Sequence, residues 1–376
     1  MRGDFAPNDR TQTTEAARLN KGLFASQIMS QGQQSDRRFP AEWEAQDGVL
    51  IAWPHADSDW RSLLDQVDRV YRDLAEAVTR FEQLLIVTPE PDRVAEQLAQ
   101  TTANCDRIQI VELPTNDTWS RDFGPLTVET PAGLRLLDWG FNGWGLKFAA
   151  NHDNQVTRRL WQQGIFGTTP LETVPLIFEG GSIESDGRGT LLTTSQCLLE
   201  ANRNPGLSRE AIAQIIQRQL GGDRLLWLEH GHLEGDDTDA HIDTLVRIAP
   251  NDTLIYVACD DPSDSHAAEL TALEAELKAL RAADGQPYHL IPLPWPQPCF
   301  DADGQRLPTT YANYLVINGA VLVPTYNDPA DEAAIAAIAA AFPDRLAIGI
   351  NCRPLLEQHG SLHCITMQLP AGLLSR

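Results

Sequence analysis

A short run of β-branched and aliphatic residues that ends in proline recurs along this chain. It occurs at GVLIAWP (48–54), QLLIVTP (83–89), IQIVELP (108–114), DTLVRIAP (243–250), YHLIPLP (288–294) and AVLVP (320–324). Runs of this length and composition are typical of buried strands, and proline ends the ladder because it has no backbone N–H. The pattern therefore predicts several short strands, each followed by a loop.

Helical stretches separate several of these strands. They span residues 61–81, 209–220, 266–283 and 331–341. In the last stretch the two isoleucines are three residues apart, so they share one helix face. Strands that alternate with helices predict an α/β protein, and the repeated pattern favours duplicated supersecondary units around one centre.

The composition predicts one main globular unit. The chain has 376 residues, of which 42% are hydrophobic and 22% charged, as is usual for globular proteins. Residues 1–36 are rich in Gln, Ser, Thr, Asn and Asp, and we expect a flexible leader there, with Met29 as an alternative start. Residues 37–376 contain no long linker of proline, glycine or serine, which favours a single domain.

The charge and the cysteines argue against several classes of protein. Asp and Glu outnumber Lys and Arg by 52 to 29, and the net charge of −23 disfavours a nucleic-acid binder or a polybasic membrane anchor. We find no apolar run of about 18 residues and no apolar segment typical of a secretory signal. The six cysteines lack CxxC spacing, which disfavours a disulfide framework. These features predict a cytoplasmic protein with reduced thiols, whose acidic field attracts small cations.

Four clusters of polar residues lie near predicted strand ends or in glycine-containing turns. They span residues 116–125, 178–182, 235–243 and 359–366. In the third cluster His241 and Asp243 are two residues apart, so both side chains would point to the same side of a strand. A surface loop is the alternative, because a His-x-Asp pair is common.

The third cluster also raises two metal hypotheses. Asp236, Asp237 and Asp239 offer carboxylates to a hard cation such as calcium, but the glycine and the closing glutamate of an EF-hand loop are missing. The segment HGHLE (230–234) together with His241 offers zinc ligands, but it lacks a helical i, i+4 pair. Because each pattern lacks residues that its metal site would need, a metal site is disfavoured.

Cys364, in the fourth cluster, is a candidate nucleophile. A single cysteine is more often a small buried hydrophobic residue, but a histidine and carboxylates elsewhere in the chain could activate it. Glu179 follows a predicted strand, just before two glycines that let the backbone turn, and an incidental turn residue is the alternative. Asp122 lies next to Arg121, and a simple ion pair between them is the alternative there.

The order of these motifs resembles that of the agmatine deiminases, which are grouped with the Porphyromonas-type peptidyl-arginine deiminases. The resemblance extends from about residue 39 to residue 370. It rests on FPAEWEAQDGVLIAWP, WSRDFGP, FEGGSIESDGRGTLLTT, the turn NRNP (202–205), DDTDAHID and GSLHCIT. The chain has Ala240 where the family usually has glycine, and the glycine-rich stretch before the cysteine is thinned to residues 359–362. Both departures could reshape the pocket for the substrate's tail.

The resemblance implies a fold, a reaction and a set of reactive residues. The fold is the pentein fold, in which five ββαβ units form a pseudo-fivefold α/β propeller with a central active site. By resemblance, Cys364 is the nucleophile, His241 is the general acid and base, and Glu179 orients the histidine. Asp122 and Asp243 would bind the guanidinium. No metal or organic cofactor is implied.

These residue types suit the chemistry of a guanidinium, which is planar, permanently charged and a poor electrophile. Two carboxylates can accept its N–H groups in the plane and leave one face open to a sulfur. The bound cation in turn favours the thiolate of Cys364. We expect aromatic walls around the substrate and take Trp119 and Trp43 as candidates, with a place in the core as the alternative for each.

The leading interpretation is hydrolysis of agmatine to N-carbamoylputrescine and ammonia, in putrescine and polyamine biosynthesis, through a covalent amidino-cysteine. Free or peptidyl arginine is the alternative substrate, but the α-carboxylate of arginine would need a positive residue, and the motifs offer only Arg121, Arg188 and Arg203. The residues also allow an amidinotransferase, or a non-catalytic acidic protein that binds polyamines or calcium. A homo-oligomer is left open by the sequence.

Overall fold

The computed structural model describes residues 36–374. Met29 and the predicted leader up to residue 35 lie outside the described residues. Within residues 36–374 the strands form five separate small sheets, one of four strands and four of three strands.

The described part of the chain contains sixteen strands. They are β1 (Gln46–Ala52), β2 (Gln83–Thr88), β3 (Ile108–Glu112), β4 (Leu126–Thr130), β5 (Gly133–Gly140), β6 (Leu171–Ile177), β7 (Glu184–Ser185), β8 (Thr190–Thr194), β9 (Arg224–Leu228), β10 (Val246–Ala249), β11 (Thr253–Val257), β12 (His289–Leu293), β13 (Leu315–Ile317), β14 (Ala320–Thr325), β15 (Leu346–Asn351) and β16 (Met367–Pro370).

Helices occupy many of the connections between these strands. The α-helices of residues 36–374 are α1 (Leu64–Thr79), α2 (Pro91–Leu98), α3 (Ser120–Phe123), α4 (Gly143–Leu146), α5 (Val156–Gln162), α6 (Ser195–Leu198), α7 (Arg209–Leu220), α8 (Ala267–Ala279) and α9 (Asp331–Ala341). Short 3-10 helices lie at Cys105–Arg107, Asp153–Gln155, Gly180–Ser182, Ile242–Thr244 and Arg353–Gln358. No helix of the described part is long and apolar enough to cross a lipid bilayer.

Each sheet contains the same unit of two antiparallel strands, a helical crossover and a third strand parallel to the second. Strands β4–β5–β6, β7–β8–β9, β10–β11–β12 and β13–β14–β15 form four such units. In the remaining sheet β16 pairs antiparallel with β1, β1 pairs parallel with β2, and β3 adds a fourth strand. These are the five ββαβ units of the pentein fold, which confirms the predicted fold class.

The first unit joins the two ends of the described chain. Gln46 of β1 pairs with Pro370 of β16, and Leu50 pairs with Met367, so the last strand completes the first sheet. Its crossover helix α1 buries Val67, Val70 and Leu74 at spacings of three and four residues, which is the pattern of one apolar helix face.

Five of the six predicted strands lie within two residues of their predicted bounds, and the sixth was partly wrong. Strand β10 begins only at Val246, and Ile242–Thr244 form a 3-10 helix. The carbonyl of His241 accepts hydrogen bonds from the backbone N–H and the hydroxyl of Thr244, which curls the chain before the strand starts. His241 and Asp243 therefore lie in a turn and not on the strand that their spacing predicts.

Candidate active site

Each of the five connections between successive units contributes one polar residue to a common centre. Asp122 lies between β3 and β4, Glu179 between β6 and β7, and His241 between β9 and β10. Asn313 lies between β12 and β13, and Cys364 between β15 and β16. The repeated unit thus brings together residues that are far apart in sequence.

The carboxylate of Asp122 is held by two N–H donors. Its Oδ1 accepts the backbone N–H of Gly181 at 2.9 Å, and its Oδ2 accepts the indole N–H of Trp144 at 2.9 Å. Burial raises the pKa of Asp122 above its ordinary value. The alternative ion pair with Arg121 is not formed, because that guanidinium turns away and lies 3.3 Å from the carboxylate of Glu42.

Glu179 follows β6 at a turn, as the sequence predicted, and the turn is the 3-10 helix Gly180–Ser182. We expected the two glycines to be needed for the turn of the backbone. In the structure, close packing and not a positive φ excludes larger residues here. A Cβ on Gly181 would lie 2.6 Å from Nδ1 of His241 and 2.8 Å from Oδ1 of Asp122. The absence of a side chain lets these two reactive groups approach each other.

His241 is completely buried between two carboxylates. Its Nδ1 lies 3.6 Å from Oδ1 of Asp122, and its Nε2 lies 3.6 Å from Oε2 of Glu179. Burial lowers the pKa of His241, but Asp122, Cys197 and Glu179 together raise it well above the ordinary value. The imidazole is therefore held in its protonated form.

Arg203 fixes the position of Glu179. Its Nε donates to both carboxylate oxygens, at 3.0 and 2.8 Å, while Nη1 donates to Asp239 at 2.6 Å. Burial opposes ionisation, but Arg203 and His241 lower the pKa of Glu179 below its ordinary value. One guanidinium thus joins the segment that carries Glu179 to the segment that carries His241.

Asp243 has one occupied oxygen and one free oxygen. Oδ2 lies 2.8 Å from Nδ1 of His363 and 3.8 Å from Sγ of Cys364. Oδ1 is buried and has no hydrogen-bond partner among the described residues. Burial would raise the pKa of Asp243, but His363, His241 and Arg247 lower it, so the carboxylate stays ionised. A buried acceptor of this kind suits a cationic ligand.

Cys364 faces the same centre and receives a hydrogen bond from Asn313. The amide Nδ2 of Asn313 lies 3.2 Å from Sγ, and its Oδ1 accepts the backbone N–H of Cys364 at 3.2 Å. Burial raises the pKa of Cys364 well above its ordinary value, and Asp243 and Asp122 add to this effect. The neutral thiol is therefore the stable form until a positive charge arrives.

A cavity of about 450 Å³ opens onto the thiol. Cys364 and Asp122 lie in its wall, with aromatic side chains beside them. The described residues that line it are Asp117, Trp119, Asp122, Trp144, Phe148, Asp237, Thr238, Thr244, Gln358, His359, Gly360 and Cys364. None of these is a lysine or an arginine.

The two tryptophans that were candidates for the cavity wall have different surroundings in the structure. Trp119 lines the cavity, and a Cβ on Gly360 would collide with its indole, so this glycine keeps the ring in place. Trp43 does not belong to the described lining. It packs against the hydrophobic core, and its carbonyl accepts a hydrogen bond from Arg345 at 2.6 Å. For Trp43 the structure therefore favours a place in the core over the expected contact with substrate.

The family departure at Ala240 also has a structural consequence. Ala240 has a φ of 63°, in the left-handed region that favours glycine. Its N–H donates to Asp236 at 2.6 Å, which holds the turn despite the strain. With alanine at this position, His241 still lies at the centre of the site.

Sequence reasoning missed several residues that contact the reactive groups. They are Trp144, Cys197, Arg203, Asn313 and His363. Arg203 belongs to the NRNP motif and His363 precedes the cysteine, so the recognised motifs could have pointed to both. Asn313 had no motif, but the repeated unit could have pointed to the fourth connection.

This chain is similar to known proteins over most of its length. The family model of the Porphyromonas-type peptidyl-arginine deiminases matches residues 38–370. The chain belongs to this family. The matched range includes all five connections that meet at the centre.

Curated relatives of this deiminase family align over nearly the whole chain. The agmatine deiminase of Stutzerimonas stutzeri is 34% identical over 369 residues, which cover 92% of this chain and 98% of the relative. The agmatine deiminase of Pseudomonas putida is 34% identical over 357 residues, which cover 88% and 95%.

Solved structures of the deiminase family show the same fold. A Porphyromonas gingivalis protein, named provisionally as an arginine deiminase, is 49% identical with a TM-score of 0.86, over 90% of this chain and 100% of its own. The C. jejuni agmatine deiminase with substrate bound is 35% identical with a TM-score of 0.84, over 90% and 97%.

Proposed function

We propose that this protein is an agmatine deiminase, which hydrolyses agmatine to N-carbamoylputrescine and ammonia in polyamine biosynthesis. In addition to the family membership, one structural observation supports agmatine as the substrate. A thiol and the carboxylate of Asp122 face a cavity whose described wall has acidic and aromatic residues but no lysine or arginine. Such a cavity suits a ligand that is positive at both ends and has an aliphatic chain between them.

The guanidinium binds between Asp122 and Asp243 in this proposal. The free Oδ1 of Asp243 accepts one N–H group, and Asp122, fixed by Gly181 and Trp144, accepts others. Charge-assisted bonds in the plane of the guanidinium leave one face open. Sγ of Cys364, 3.8 Å from Oδ2 of Asp243, is placed to approach that face.

Substrate binding activates the nucleophile. In the absence of a cation, burial and two carboxylates keep Cys364 as a thiol, because they raise its pKa. The guanidinium neutralises both carboxylates and lowers the free energy of the thiolate. The hydrogen bond from Asn313 also favours the ionised sulfur. Binding of the substrate therefore releases the thiol proton to solvent. Reactive thiolate forms only when substrate is present, which limits side reactions of the cysteine.

The reaction then proceeds in two halves. The thiolate of Cys364 attacks the guanidinium carbon, and protonated His241 gives its proton to the departing nitrogen, which leaves as ammonia. An amidino-thioether remains on the sulfur. Neutral His241 takes a proton from a water molecule that attacks the same carbon. Collapse of the second adduct expels the thiolate and releases the ureido product.

Glu179 and Arg203 support the acid and base role of His241. The carboxylate of Glu179 lies 3.6 Å from Nε2 and stabilises the imidazolium. Arg203 holds that carboxylate in its ionised form. The histidine stays neutral after the first half of the reaction and regains its proton from the attacking water in the second half.

The experiment that tests this proposal compares agmatine, free arginine and an arginine peptide in parallel. Ammonia and ureido product are measured for the unaltered protein and for Cys364→Ser. We expect rapid turnover of agmatine without an acceptor amine, and none by the variant. A need for an acceptor amine would instead show an amidinotransferase. No consumption of any guanidine would show a binding protein.

Arginine is the second candidate substrate, because the 49% identical structure is named for arginine deiminase activity. An arginine α-carboxylate would meet Asp117 and Asp237 in the described cavity wall, and repulsion disfavours it there. A rate on free arginine or on the peptide comparable to that on agmatine would overturn the substrate assignment and leave the mechanism intact.

A further inference from the structure

Cys197 is a second thiol beside the reactive centre, and the proposed reaction gives it no role. It lies in helix α6 and is completely buried. Its Sγ is 3.8 Å from Oε2 of Glu179, and the same oxygen is 3.6 Å from Nε2 of His241. One ligand atom from each of these three residues lies within 4.8 Å of the other two.

These separations are close to those of a tetrahedral zinc site. When zinc lies 2.0 to 2.3 Å from nitrogen, oxygen and sulfur ligands, neighbouring ligand atoms are about 3.3 to 3.7 Å apart. Two of the observed separations agree with this range to within about a tenth of an ångström. Small side-chain rotations would adjust the third separation.

The histidine becomes a ligand when the cation displaces the proton on Nε2, and the thiol of Cys197 gives up its proton in the same way. Both ring nitrogens of His241 are buried and have no hydrogen-bond partner among the described residues. If Nε2 binds the cation, Nδ1 carries the proton and faces Oδ1 of Asp122 at 3.6 Å. Metal-binding histidines commonly point their other nitrogen at a carboxylate in this way.

The charges also balance at this position. The carboxylate of Glu179 and the thiolate of Cys197 neutralise a divalent cation, which is necessary in a completely buried site. Arg203 binds Glu179, but its charge is also compensated by Asp239 at 2.6 Å, which Lys147 shares, and by Glu200 at 3.8 Å. A mixed set of sulfur, nitrogen and oxygen ligands favours zinc over calcium or magnesium.

We propose that Glu179, Cys197 and His241 form an inhibitory site for a thiophilic divalent cation, with zinc as the best match. The inhibition rests on the proposed function, because a cation on His241 removes the general acid and base. The binding of the cation does not depend on the proposed function. All three residues are completely buried, so the cation enters only when the site opens, and inhibition develops slowly during preincubation.

Cobalt(II) tests the site directly, because it takes the place of zinc and shows charge-transfer absorption when a thiolate binds it. The full-length protein, Cys197→Ser, Cys364→Ser and the exposed-cysteine control Cys105→Ser are titrated with cobalt(II) and then with zinc as competitor. We expect the absorption in all except Cys197→Ser, whose affinity for the cation falls by about 100-fold or more. If circular dichroism shows that Cys197→Ser is unfolded, Cys197→Ala replaces it.

Activity gives a second measurement. Preincubation of the unaltered protein with zinc is expected to abolish ammonia release from agmatine, and a chelator is expected to restore it. Three results would overturn the proposal: no thiolate absorption, absorption that persists without Cys197, or absorption that disappears in Cys364→Ser. Cys364→Ser can bind cobalt(II) without catalysing any reaction. The absorption that it shows would therefore be unaffected if the proposed function were wrong.

Discussion

Asn313 holds Cys364 through both ends of its side-chain amide. Nδ2 donates to Sγ at 3.2 Å, while Oδ1 accepts the N–H of Cys364 at 3.2 Å and that of His363 at 2.8 Å. One residue from the fourth connection thus fixes the backbone of the fifth and also donates to its sulfur. The proposed nucleophile is positioned by a part of the chain 51 residues away.

Replacement of Asn313 by aspartate should separate these two effects. Asn313→Asp keeps an oxygen for the backbone N–H groups but replaces the N–H donor by a negative charge. We expect a fall in kcat of about 100-fold, comparable to the loss of one donor to a developing anion, with a folded protein. Steady-state kinetics with agmatine measure it, and Asn251→Asp in a turn is the control. An unchanged kcat would show that the donor is unimportant.

The packing at Gly181 predicts a strong effect of one methyl group. In Gly181→Ala the new Cβ would lie 2.6 Å from Nδ1 of His241, so the ring or Asp122 must move. We expect a loss of activity of about 100-fold, as misplacement of catalytic groups by about 1 Å can cause. Gly285→Ala, at a turn with open space around it, should retain activity. Equal activities of the two variants would contradict the prediction.

Asp237 should contribute to binding of the substrate's ammonium end. It lines the cavity, and burial together with Asp236 raises its pKa to about 6. As the pH falls through about 6 the carboxylate becomes neutral, so KM for agmatine should rise. Asp237→Asn should raise KM about fivefold at neutral pH, as loss of a partly exposed ion pair worth about 1 kcal/mol would.

The pH profile of KM provides the check on Asp237. Asp237→Asn should lack the rise in KM that the unaltered protein shows in mildly acidic solution, while the exposed-site control Asp261→Asn should retain it. A variant profile that parallels that of the unaltered protein would place the ammonium elsewhere.

Arg203 should be important for stability as well as for the site. Arg203→Met leaves the buried carboxylate of Glu179 without its main partner, and we expect a loss of about 3 to 5 kcal/mol in the free energy of unfolding. Denaturant unfolding measures it. Arg61→Met is the matched control, because the Arg61–Asp57 pair is exposed and such pairs contribute less than about 1 kcal/mol. Similar losses for both variants would refute the prediction.

Glu82 predicts a pH dependence of stability. Burial raises its pKa from 4.5 to about 7, and its Oε1 has no partner among the described residues. The folded state therefore holds a proton that the unfolded state releases, so stability is greatest below pH 4.5 and is lost as the pH rises to about 7. The loss is on the order of 3 kcal/mol.

Replacement by an uncharged side chain isolates the contribution of Glu82. Glu82→Gln cannot ionise, so its free energy of unfolding relative to the unaltered protein should increase as the pH rises from about 5 to about 8. Denaturant unfolding of both proteins across this range measures the difference. A difference that does not change with pH would show that Glu82 is already ionised in the folded state.

The sequence identified most residues of the site but did not show how the fold brings them together. The motifs with Asp122, Glu179, His241, Asp243 and Cys364 were recognisable because each has a distinctive local pattern. Asn313 was not, since it lies in a segment with no unusual composition, and its importance arises only from contact with Cys364. Trp43 shows the opposite case, because an aromatic residue inside a family motif packs against the core.

Local sequence determined the strands, the crossover helices and the identity of the reactive groups, because periodicity, proline and residue chemistry act over short distances. Only the tertiary structure decided that five inter-unit connections meet at one point. It also decided that burial makes Cys364 a thiol, while the carboxylates beside His241 make that residue an imidazolium. The physical reason is that protonation depends on desolvation and on charges brought close by the fold. Desolvation and nearby charges cannot be predicted from the sequence alone, because the residues that meet are far apart in the chain. Asp122 and Cys364, for example, are 242 positions apart.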